Sequence, residues 1–192
     1  MLEVFKLCIF SALEIADQHQ YFKLMRKYFL ISILCTLTTA AFSQTHVDTV
    51  HGYQIQVPNW WTIRETPAYM FGGTLPAVDD IENALIFKCF SKEDIKDMAE
   101  FESWVITGYT MGQSPRWSSQ HKFLLRKKLE DFKEIGSAYK VQMMKGNKIF
   151  DCCYIMIETS KAYIWIDFTA TSTTYPVNWD KFKEIVSSFK KL

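Results

Sequence analysis

Alternation of apolar and polar positions sets most of this chain. In Ala162–Thr171, AYIWIDFTAT, successive residues of an extended segment point to opposite faces, so Tyr163, Trp165 and Asp167 share one face and Ile164, Ile166 and Phe168 the other. Ile149–Glu158 precedes it across Thr159-Ser160-Lys161, a hairpin-length link. Further extended segments are expected at His46–Val50, Tyr53–Val57, Trp60–Glu65, Ala84–Phe90, Lys122–Phe132 and Gly136–Met144, with Thr66–Glu82 between them as a loop. Two stretches follow the helical period instead. Ile95, Met98, Phe101 and Val105 form one apolar stripe, with Ser91 as N-cap and Asp94 three residues on. Phe182, Ile185, Val186 and Phe189 form the other within Trp179–Phe189, behind Pro176 and an Asn178 cap. Short links between strands make the sheet antiparallel. The expected class is α+β, an antiparallel sheet covered by two amphipathic helices.

The N-terminal region has a different pattern. Met25-Arg26-Lys27 is a short positive stretch, Tyr28–Phe42 carries no charge, and Ala41 and Ser43 precede Gln44 as an A-x-S cleavage site. That is the layout of a secretory signal peptide. The apolar run falls short of the roughly 20 residues of a membrane-spanning helix. Leu34 before Cys35 argues against a lipidated cysteine. A signal peptide must lead its chain, so Met25 reads as the true start and 1–24 as an extension of the gene model. The expected order is then a signal peptide at 25–43 and a single globular domain at 44–192, exported to the periplasm or beyond, with no stable membrane span after cleavage.

From Gln44 onward basic and acidic residues are equal in number, and the whole chain carries a formal charge of +1. A nucleic-acid binder shows a basic excess, so DNA and RNA are not expected partners. Three cysteines remain after cleavage, Cys89, Cys152 and Cys153. An oxidising compartment permits one disulfide, from Cys89 to Cys152 or Cys153; three buried thiols are the alternative. No C-x-x-C motif points to a redox centre or a zinc ribbon.

Three stretches together resemble the PsbP-like fold. They are GYQIQVPNW (Gly52–Trp60), the strand Tyr163–Phe168, and FKEIVSSF (Phe182–Phe189) closing the C-terminal helix. This fold is found in the photosystem II PsbP proteins, the Ran-binding import factor Mog and DcrB-like envelope proteins. The resemblance implies an α/β/α sandwich over nearly all of 44–192, and a binding or assembly role in place of catalysis. It carries over no site residue, because fold alone does not give function.

Catalytic signals are weak. His46 and Asp48 share a strand face, but His51 falls on the opposite parity, and a metal site would need a third ligand from elsewhere. Ser118 or Ser119 with His121 forms no nucleophile motif. Gly72-Gly73-Thr74 lacks the ending of a phosphate loop, and Asp79, Asp80 and Glu82 lack calcium-loop spacing. No cofactor motif is present. The aromatics remain: Tyr163, Trp165 and Asp167, joined by Trp60, Trp61 and Trp117, suit a semi-exposed groove for a protein, peptide or glycan. The expected function is a non-catalytic binding or accessory module of the cell envelope. A Ser/His or metal hydrolase and a structural subunit of an envelope complex are the alternatives. N-terminal sequencing of the protein from an envelope fraction should begin at Gln44 or its cyclised form. Intact Met1 in a cytosolic fraction would overturn both the cleavage and the start site.

Overall fold

The structure, a computed structural model, describes residues 44–108 and 121–192. The signal-peptide reading, Trp117, Ser118 and Ser119, and the side chain of His121 lie outside the described residues. The class is α+β: the described residues form two antiparallel sheets and two short helices. Strands β1 (Gln44–Asp48), β2 (Tyr53–Val57) and β10 (Lys190–Lys191) form a small sheet in the order β1-β2-β10. The large sheet comprises β3 (Thr62–Ile63), β4 (Met70–Val78), β5 (Ile81–Ser91), β6 (His121–Leu129), β7 (Ser137–Lys145), β8 (Lys148–Glu158) and β9 (Ala162–Thr171), in the order β3-β4-β5-β9-β8-β7-β6. Helix α1 (Met98–Ser103) runs on into a π-helical turn at Trp104–Gly108, and α2 (Tyr175–Ser187) precedes β10. Among the described residues no helix is long and apolar enough to cross a membrane.

The parity of β9 divides the core in two. Ile164, Ile166 and Phe168 join Cys153, Ile155 and Ile157 of β8, Leu85 and Phe87 of β5, and Phe182, Ile185 and Val186 of α2. Phe182 stacks on Phe168 with centroids 4.8 Å apart, and Tyr53 of β2 stacks between Phe87 and Phe189. On the opposite parity Tyr163 and Trp165 join Cys152, Tyr154 and Met156, together with Phe101 and Val105 from α1 and its π-helical extension. The helical stripe read from the sequence is therefore the buried one, with Ile95 and Met98 packed at its edge.

The ends of the elements differ from expectation for local reasons. Ser91 still belongs to β5, where it pairs with Ala162, and its hydroxyl accepts from Glu93 N. The cap of α1 is Asp97, whose carboxylate accepts from Glu100 N at 2.8 Å. Helix α2 begins four residues before the expected start. Pro176 sits inside its first turn, where the missing N–H is no loss, and Asn178 is fully buried within the helix. Between Trp60 and Glu65 only Thr62–Ile63 is a strand.

The largest departure is β4, inside the stretch expected as a loop. Gly72 and Gly73 there mark close backbone approach and not flexibility. A Cβ on Gly73 would lie 2.1 Å from Thr62 O, and one on Gly72 would lie 2.5 Å from Leu85 O. Pro76 falls at the register shift between Leu75 and Val78, where a missing donor breaks no ladder. Asp79 and Asp80 form the two-residue turn to β5, both at positive φ (51° and 60°), the conformation a type I′ hairpin turn needs. Asp is one of the few residues that visits this region routinely.

Register also excludes the expected disulfide. Cys89 lies opposite Ile164 of β9, and Ile164 lies opposite Ile157 of β8. Cys153 is four residues further along β8, about 13 Å at strand rise, and two strands away from Cys89. Bridged cysteines need Cα atoms within about 7 Å. Cys152 and Cys153 diverge to opposite faces, and all three thiols are free and buried. Alkylation of the unfolded protein without reductant should therefore modify Cys89, Cys152 and Cys153 alike, as read by peptide mass analysis. One protected pair among them would contradict the register.

Candidate functional site

The aromatic face of β9 is interior. Tyr163 and Trp165 are 3 % and 1 % exposed. Phe101 stacks on Tyr163 with centroids 5.2 Å apart, and Tyr154 meets Trp165 edge-on at 4.9 Å. Lys88 Nζ sits 3.8 Å over the Trp165 ring and 2.6 Å from Asp167 Oδ2. Asp167 also accepts from Thr169 Oγ1 at 2.9 Å. The parity expected from the sequence holds, but the semi-exposed groove expected with it does not: the apolar stripe of α1 needs a partner and packs on this face. Trp60 and Trp61 belong to the opposite core cluster, so they do not join Trp165. Trp61 is buried edge-on against Phe71.

A surface cleft lies on the other parity, at the first turn of α2. It encloses about 450 Å³ and is lined by Leu129, Lys140, Asp151, Ser172, Tyr175, Pro176 and Trp179. Asp151 is the one buried acid in the apolar strand β8, only 6 % exposed. It accepts from Gln142 Nε2 at 3.1 Å, directly across the β7–β8 ladder. Lys140 Nζ stands 3.8 Å from Asp151 Oδ1 and 4.9 Å from the centre of the Tyr175 ring. Tyr175 and Trp179, one helical turn apart, stack at 5.2 Å. The cleft thus sets an aromatic pair beside a buried carboxylate and a half-exposed ammonium. Such a site can grip the face of a ring or an aliphatic stem and hydrogen-bond to its polar edge.

A third constellation sits at the β1–β2 turn. Asp48 accepts from His51 N at 2.9 Å, and its other oxygen meets His51 Nδ1 at 2.7 Å. Burial opposes the charge on Asp48, but the His51 hydrogen bonds outweigh it and hold the carboxyl below its ordinary range. Cys89 of β5 comes up from the large sheet to the same corner, its thiol pushed up to about 12 by burial and by the Asp48 charge. His46, on the Asp48 face of β1, stacks on Phe71 at 3.6 Å. Burial lowers its pKa against the pull of Asp48.

No protein-family model matches the chain, and no curated protein matches it in sequence. Solved structures do match in shape. The cyanobacterial PsbP of Synechocystis is 16 % identical at a TM-score of 0.52, over 79 % of this chain and 94 % of that one. The fold is PsbP-like. The Ran-binding protein Mog1p of Saccharomyces cerevisiae is 11 % identical at 0.45, covering 79 % of this chain and 96 % of its own. LpqN, involved in cell envelope biogenesis in Mycobacterium tuberculosis, is 13 % identical at 0.44, covering 77 % and 89 %.

Within this PsbP-like frame, sequence reasoning passed over the cleft and half of the β1–β2 corner. One signal for the cleft was present: Asp151 interrupts an apolar strand, and Lys140 and Gln142 alternate on the strand before it. Strand parity separates His51 from His46 and Asp48, yet His51 lies in the turn, where parity no longer applies. Burial makes Trp165 a test of the filled face. Ile166→Ala should cost about 2–5 kcal/mol, and Trp165→Ala about 3–5 kcal/mol. Denaturant unfolding should rank them as comparable. A Trp165→Ala variant that keeps wild-type stability would show that this face is not core.

Proposed function

We propose that the chain is an exported, non-catalytic binding or accessory module of the cell envelope, and that the cleft beside α2 engages its protein, peptide or glycan partner. In this reading the two amphipathic helices complete the outer layers of a PsbP-like α/β/α sandwich. The observation that carries the proposal is the pairing of Tyr175 and Trp179 with buried Asp151 and neighbouring Lys140. A buried carboxylate is costly unless hydrogen-bonded and paired. Gln142 supplies one bond, while Lys140 stays 3.8 Å away and 37 % exposed at its side chain. The ammonium therefore retains donors to offer to a partner. Export is supported by the signal-peptide layout of Met25–Ser43. The Tyr163–Trp165–Asp167 face takes a supporting part: it fixes the sheet from which Asp151 and Lys140 project.

The test is capture from an envelope extract with the wild-type chain and with Lys140→Gln, which removes the charge but keeps a hydrogen-bond donor beside Asp151, as baits. Lys140 lies at the surface of the sheet, so its replacement should leave the melting temperature within a few degrees. The captured partner should bind about thirtyfold more weakly, the equivalent of about 2 kcal/mol at an interface hot spot. Equal capture by both baits would remove the cleft from the binding surface. A partner recovered only from the cytosol would remove the envelope assignment.

A further inference from the structure

We propose that Asp48, His51 and Cys89 form a binding site for a borderline divalent cation of the zinc class. One potential ligand atom from each of the three lies within 4.8 Å of the others. The donor set is a carboxylate, an imidazole and a thiolate, all habitual zinc ligands, and three protein ligands leave a fourth position for water. With bonds of about 2.0–2.3 Å, tetrahedral ligand atoms stand about 3.3–3.8 Å apart. Binding would draw the set in to that spacing.

A second observation separates the corner from an ordinary turn. The Asp48–His51 hydrogen bonds alone would be explained as a local cap on the β1–β2 turn. They do not reach the Cys89 thiol or the Tyr53 hydroxyl. Tyr53 is fully buried, and its hydroxyl has no conventional hydrogen-bond partner among the described residues. It faces the Cys89 sulfur. A phenol aimed at a thiol in a closed core is poorly satisfied. Aimed at a metal-bound thiolate, or at a water on the metal, it becomes an outer-shell donor of the kind that orients metal ligands. Binding breaks the Cys89 S–H bond, forms the sulfur–metal bond and releases the proton to solvent, with no change of oxidation state. Asp48 and His51 have side chains 16 % and 19 % exposed, which gives the cation an entry path that Cys89 alone lacks.

The experiment uses the full chain without a histidine tag, stripped with a chelator and titrated with Co²⁺. Wild type should take up one equivalent, with a sulfur-to-cobalt charge-transfer band in the near ultraviolet and ligand-field bands in the visible. Cys89→Ser should abolish the charge-transfer band, and Cys152→Ser should retain it. His51→Gln and Asp48→Asn should each weaken Co²⁺ at least about tenfold; placed at the surface turn, they carry the test if Cys89→Ser fails to fold. Zn²⁺ at a hundredfold excess over its Kd should raise the wild-type melting temperature by about 5–10 °C, and that of His51→Gln far less. No charge-transfer band in wild type, or a band unchanged in Cys89→Ser, would overturn the proposal. So would an equal thermal shift in wild type and His51→Gln.

Discussion

Strand β9 is the constraint on which the rest of the fold hangs. It is the middle strand of seven, paired with β5 on one side and β8 on the other, and Ala162–Ile166 are all buried. A strand covered on both faces has one tolerable register, since a slip by one residue would exchange every side chain between two different packing environments. The two environments here are distinct. One parity offers Ile164, Ile166 and Phe168 to the aromatic stack of α2, and the other offers Tyr163 and Trp165 to Phe101. Asp167 reinforces the choice. On its proper face it reaches Lys88 at 2.6 Å; turned over, it would enter the Phe168–Phe182 stack as a buried charge without a partner, a cost of several kcal/mol.

What β9 fixes, its neighbours inherit. Register with β5 puts Leu85, Phe87 and Cys89 on the α2 side, and register with β8 puts Cys153, Ile155 and Ile157 there too. The cysteines are thereby held apart, which keeps Cys89 as a free thiol. The same register aligns Asp151 with Ala170 at the far end of β9. Functional groups on this sheet are placed by strand pairing, and the loops contribute mainly the β1–β2 turn.

The sequence was most informative where period and burial agree. Strand β2 matches its expected bounds residue for residue, the β8–β9 hairpin falls on Thr159–Lys161, and the Phe101–Val105 stripe faces inward. It misled where one residue type serves two purposes. Gly72-Gly73 with Pro76 reads as a loop by composition, yet β4 needs glycine because Thr62 O and Leu85 O come too close for any Cβ. Ser91 and Asp97 are both competent caps, and β5 claims the first. Trp165 and Asp167 on one face suggest a wet groove, but Lys88 satisfies the acid inside the core. The cleft was illegible for another reason: Lys140, Asp151 and Trp179 come from three elements, and only tertiary pairing brings them together.

The α2 side of the sheet carries both constellations of chemically able groups, at opposite ends. Cys89 lies opposite Ile164 near the start of β9, and Asp151 lies opposite Ala170 near its end. Six residues of strand separate them, about 20 Å. The intervening space is filled by Ile166, Phe168, Phe182 and Ile185 of the aromatic and aliphatic core. Helix α2 packs on the core between the ends and contributes Tyr175 and Trp179 to the cleft. Its C-terminal extension closes the link: Phe189 stacks on Tyr53, and Tyr53 faces Cys89. Tyr53 also stacks on Phe87 of β5, so helix and sheet both join the Cys89 corner to the core between the two constellations.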